Sequence, residues 1–119
     1  MMLRAAAAFA LTLASPTAAQ QAVSGPGGDI RILDKQTGIV TDVTLESGSA
    51  VRLGLISVGM RDCRYPADNP SGDGFAYLTI HYSDVEDPVF DGWMIASSPA
   101  LNALDHPRYD VWVLRCNSA

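Results

Sequence analysis

The sequence predicts an all-β domain: a small sandwich or barrel of about six short strands with one short helix near the C-terminus. Three observations lead there. Several runs of five to eight residues alternate apolar and polar side chains with a period of two. Clusters of Gly, Pro, Asp and Ser separate those runs. Two cysteines, Cys63 and Cys116, lie behind what reads as an export leader.

The leader comes first. Arg4 supplies a positive charge, and Ala5 to Ala14 is apolar apart from Thr12. Pro16 breaks the run, and Thr17-Ala18-Ala19 offers small residues for cleavage after Ala19. This pattern is that of a secretory signal peptide over residues 1–19, and its apolar run is too short for a bilayer span. Gln20 to Gly28 (QQAVSGPGG) then reads as a flexible lead-in to a single domain over 29–119.

Ile30 to Leu33 is a short β-prone run, and Asp34 to Gly38 a turn. From Ile39 to Glu46 the alternation predicts a half-buried strand. Val51, Leu53 and Leu55 mark another. Gly59 to Gly74 holds enough Gly, Pro and Asp to read as one long loop, with Cys63 inside it. Phe75 to Tyr82 (FAYLTIHY) is a strong strand, with Ala76, Leu78 and Ile80 on one face. Val89 to Ala96 is a strand with Gly92 as a bulge. Ser98 caps a short helix that Pro99 opens, with Leu101 and Leu104 buried together. His106 precedes Pro107, which stops that helix. Tyr109 to Cys116 is the last strand, with Trp112, Leu114 and Cys116 on its core face.

Charge and cysteines narrow the class. Without Arg4, seven basic residues face 13 acidic ones, a net charge of −6. Such a surface argues against nucleic acid and anionic lipid as partners. No segment after the leader is suited to membrane insertion. Two cysteines in an exported domain of this size are expected to pair as Cys63–Cys116. The bond would contribute roughly 4 kcal/mol in the chain-entropy model.

Residues 92 to 112 (GWMIASSPALNALDHPRYDVW) hold the densest chemistry. A serine hydrolase would need Ser97 or Ser98, His106, and Asp105 or Asp110 to converge, but no GxSxG elbow is present. A zinc site would need three or four ligands, and only His81 and His106 are histidines. Trp93, Tyr109 and Trp112 could form a glycan or peptide surface, although Trp112 fits the core better. The simplest reading is closure: strand, capped helix and final strand lock the fold. The exposed sides of Trp93, His106, Arg108 and Tyr109 are then left for a partner.

Three runs, LDKQTG at 33–38, LGLISVGMRDC at 53–63 and FDGWMIASSPALNALDHPRYDVWVLRC at 90–116, resemble the domain-of-unknown-function 2155 family. Members are small exported proteins of alphaproteobacteria with no assigned activity or cofactor. Their genes often stand beside that of a small accessory subunit of respiratory complex I. The resemblance implies an envelope protein as partner, a respiratory-complex component being one candidate.

The reading is therefore a periplasmic, non-catalytic, disulfide-stabilised domain without cofactor or metal that binds another envelope protein. The alternatives are a small hydrolase or metal-dependent enzyme using His106 and nearby carboxylates, and a glycan-binding module. N-terminal sequencing of the protein from its native host should find Gln20 at or near the start. A full-length cytoplasmic form as the main species would defeat the export reading.

Overall fold

The computed structural model describes residues 21–118. The leader predicted over residues 1–19 lies outside them. The described chain forms eight strands: β1 (Ala22–Ser24), β2 (Gly27–Asp34), β3 (Val40–Glu46), β4 (Ser49–Leu53), β5 (Ile56–Pro66), β6 (Phe75–Tyr82), β7 (Phe90–Ile95) and β8 (Tyr109–Asn117). All pairings are antiparallel. The all-β class expected from the alternation is the class observed.

Two sheets pack face to face. One runs β1-β5-β6-β7, with β4 also pairing β5. Because β4 meets Ile56–Met60 and β1 meets Arg64–Pro66, the two lie end to end along one edge of β5. The other sheet runs β3-β2-β8. The inner faces supply Ile30, Ile32, Ile56, Val58, Leu78 and Ile80, each at most 1% exposed. Apolar side chains at every second position face inward because strand side chains alternate across the pleat. The β4–β5 turn needs only Gly54 and Leu55, and Gly54 takes φ +60°, a conformation that favours glycine.

Several local expectations are corrected. The predicted flexible lead-in over Gln20–Gly28 contains β1 and the start of β2. Its glycines are there for close approach, not for freedom. A Cβ on Gly27 would come within 2.0 Å of the Leu45 carbonyl, and one on Gly28 within 2.7 Å of the Cys63 sulfur. The first half of the predicted long loop over Gly59–Gly74 is β5, which runs to Pro66, and only the second half is loop. Gly92 is not a bulge, since β6 and β7 stay in register through Leu78↔Gly92.

No helix forms after β7. Ser98 is not a helix cap: it sits in a single turn, its carbonyl accepting from Leu101 N at 3.1 Å. Leu101 is 74% exposed while Leu104 is buried, so the expected apolar pair never assembles. Five residues between Pro99 and the Asp105-His106-Pro107 stop are too few to offset the cost of helix nucleation.

The misplaced loop and a misassigned core face share one cause. Each cysteine-bearing strand holds a β-bulge two residues before its cysteine. On β5 the register slips between Met60 and Asp62, leaving Arg61 extra. On β8 it slips opposite Asp29/Ile30, leaving Leu114 extra. An extra residue reverses the side-chain alternation beyond it. Cys63 and Cys116 therefore turn inward and join, with Cα atoms 5.5 Å apart, linking one sheet to the other. For the same reason the inner face of β8 is Tyr109, Val111, Val113 and Cys116. Trp112, expected in the core, is half-buried on the outer face, cross-strand from Arg31.

Deleting Leu114 should therefore return Cys116 to the outer face without altering β8 before it. Both cysteines should then react with a maleimide in the absence of denaturant, and the melting temperature should fall. An intact disulfide in that variant would show that the bulge does not aim the cysteine.

Candidate functional site

The residues singled out in the sequence do not form one site. Tyr109 is not a surface residue. It is 2% exposed, and its hydroxyl accepts a hydrogen bond from Leu55 N at 3.1 Å. It pins the β4–β5 turn to β8. His106 stacks on Tyr82, ring centroids 4.5 Å apart. Its Nδ1 accepts from the backbone N–H of Arg108 (3.1 Å) and of Tyr109 (3.2 Å). That nitrogen is thus taken up in capping the entry to β8.

Arg108 forks onto Asp34 at 3.1 and 3.4 Å. The Arg108 hydrogen bond holds the Asp34 carboxyl below its ordinary range, and the same bond raises the guanidinium. Lys35 reaches Asp110 at 3.3 Å and the His106 carbonyl at 2.8 Å. Lys35, Tyr82, Pro107 and Arg108 line a shallow cleft. Both of its cations already have carboxylate partners.

The serine–histidine pair does not assemble either. Ser97 donates its hydroxyl to Asp73 Oδ2 at 2.5 Å, and its N–H to Asp73 Oδ1 at 2.9 Å. This ties the loop before β6 to the turn after β7. Among the described residues no three His, Cys, Asp or Glu side chains are placed to hold a metal ion.

Trp93 stands elsewhere, on the outer face of the five-stranded sheet, and there it has company. Tyr77 is its cross-strand partner, and their rings meet edge to face at 5.3 Å and 86°. The Arg64 guanidinium lies over the Trp93 ring at 5.2 Å, and that of Arg61 over the Tyr77 ring at 5.5 Å. Four side chains from β5, β6 and β7 thus make a continuous cation–aromatic patch. Asp62 bonds Arg64 at 2.7 Å. Burial works to raise the Asp62 carboxyl, but bonds from Arg64 and Ser24 prevail and lower it. The Asn102 side chain donates to the Trp93 carbonyl at 2.8 Å, so the turn after β7 braces this strand.

The β5 bulge is what makes the patch. It places Arg61 and Asp62 together opposite the outward-facing Tyr77. Bulges commonly re-aim a side chain in this way next to functional sites. Arg61 is also distinctive in charge. Among the described residues Arg31, Lys35, Arg52, Arg64, Arg108 and Arg115 all have a carboxylate within 4 Å, and Arg61 has none. Sequence reasoning found Trp93 and the outward face of FAYLTIHY. It missed Arg61 and Arg64 because the bulge breaks the alternation of β5 and makes it resemble a loop.

The Asp34–Arg108 pair has a pH signature. A carboxyl whose folded pKa is depressed adds stability that is fully present above its unfolded value, about 4. That stability is lost as pH falls through the lower folded value. Asp34→Asn should therefore lower the melting temperature at pH 7, and the difference from wild type should shrink as the pH is taken below the ordinary carboxyl range, about 4. A difference independent of pH would remove the ionic role.

An uncharacterised protein of Rickettsia prowazekii is 32% identical over 92 residues, covering 75% of this chain. The chain spans 59% of that relative's length. No solved structure matches. A family described as an uncharacterised protein conserved in bacteria, DUF2155, matches residues 28–116. That span takes in both cysteines, both bulges and all four side chains of the patch, and the chain belongs to that family.

Proposed function

We propose that this chain is a non-catalytic binding domain of the bacterial periplasm that docks another envelope protein through the outer face of its five-stranded sheet. The observation that supports this most is the patch itself. A bulge aims Arg61, which has no carboxylate within 4 Å among the described residues, over Tyr77 beside a 37%-exposed Trp93. Aromatic and arginine side chains are enriched where interfaces are strongest. The leader pattern of Met1–Ala19 and the Cys63–Cys116 bond both fit an oxidising compartment outside the cytoplasm. A respiratory-complex component is the partner to assay first.

The patch is also separable from the core. Tyr77 and Trp93 stand on the outer face, and the inner positions of β6 and β7 are filled by Ala76, Leu78, Ile80 and Met94. A photocrosslinking amino acid at position 93 should trap a defined partner in the native host. The same amino acid at position 31, on the outer face of the other sheet, should not. Trp93→Ala should remove the complex while shifting the melting temperature by no more than a few degrees. Crosslinks arising from position 31 alone would move the interface to the three-stranded sheet.

A further inference from the structure

We propose that the ligand of the Arg61–Tyr77–Trp93–Arg64 patch is an extended peptide segment with one or two carboxylates spaced among aromatic or aliphatic residues. This rests on the docking face proposed above and names its chemistry. The charge of this face complements an anionic ligand. The chain has a net charge of −5, yet this face presents a guanidinium with no carboxylate within 4 Å among the described residues. The Arg61 guanidinium lies over Tyr77 at 5.5 Å, and a carboxylate is the side-chain group that matches its planar fork of donors.

The stacking also argues against a sugar. A sugar ring would need an aromatic face to lie on. The Tyr77 ring has Arg61 over it, and the Trp93 ring has Arg64. Any glycan would first have to displace a guanidinium from each.

The overall negative charge sets the number of carboxylates. A run of acidic residues would be repelled beyond the patch, whereas one or two charges need only the local field, within a Debye length of about 8 Å. One cation without a carboxylate neighbour among the described residues is likewise too little to hold an anionic membrane, where each is worth about 1 kcal/mol. Geometry suits an extended chain. Arg61, Tyr77 and Trp93 lie in a row across three adjacent strands, about 4.8 Å from strand to strand, so a ligand that meets both ends of the row must lie extended.

The test uses the full protein purified from its host, carrying Trp112→Phe so that Trp93 alone reports. The probe is a capped heptapeptide, Ser-Glu-Tyr-Gly-Glu-Tyr-Ser, against its counterpart with Gln in place of both Glu. The Glu peptide should shift Trp93 fluorescence saturably and bind at least about tenfold more tightly than the Gln peptide, as expected for a charge-assisted contact. Arg61→Gln should abolish that preference, and Arg31→Gln should leave it intact.

Equal affinity for the two peptides, or an Arg61→Gln variant that still prefers Glu, would overturn the proposal. So would saturation of the Trp93 signal by polygalacturonate, or by phosphatidylglycerol vesicles, without a response to the Glu peptide. Crosslinking from position 93 separates the two levels. If a partner is still trapped while no peptide discriminates, the docking face stands and its acidic-peptide chemistry falls. If the crosslink is absent as well, both fall.

Discussion

The bond between Cys63 and Cys116 is the constraint on which the rest of this domain depends. It joins β5 of one sheet to β8 of the other, where Gly28 and Gly74 leave room for the two sulfurs. About 100 residues bury a limited core, and a cross-link of this span contributes roughly 4 kcal/mol out of a typical 5–15 kcal/mol. Neither cysteine would face inward on a regular strand. Each does so because one extra residue, Arg61 or Leu114, reverses the alternation just before it.

The same irregularity on β5 couples stability to the surface. The residue that reverses the strand is the one whose guanidinium lies over Tyr77. A single backbone feature therefore turns a sulfur into the core and a cation onto the outer face. Glycines at 25, 27 and 28 belong to this arrangement. They let the crossover from β1 to β2 approach Asn117, Leu45 and Cys63 more closely than any side chain would allow.

At the opposite end polar contacts take over from apolar packing. Tyr109 holds the β4–β5 turn, His106 caps the entry to β8, and Arg108 clasps Asp34 at the end of β2. Residues that look like catalytic machinery in sequence are here satisfied by backbone N–H groups and by one another. Asp73 does the same for Ser97, across the gap between the loop before β6 and the turn after β7. The segment 96–108 has no regular structure because these side-chain bonds, with two prolines, hold it in successive turns.

The amino-acid sequence by itself determined the all-β class, the bounds of β6, the inward faces of β3 and β6 and the pairing of the cysteines. Those follow from local rules: period-two patterning and the pairing tendency of two cysteines in an exported chain. It did not determine where β5 ended, which way Trp112 pointed, or that Arg61 would meet Tyr77. A bulge is decided by the partner strand, since only the register of β6 or β2 shows that one residue is unpaired. A helix read from Ser98-Pro99 and two leucines likewise yields to its surroundings, where Leu104 is buried, Leu101 is exposed and Asn102 bonds β7. Local preference sets the period of a strand, and only its neighbours across the sheet set its phase.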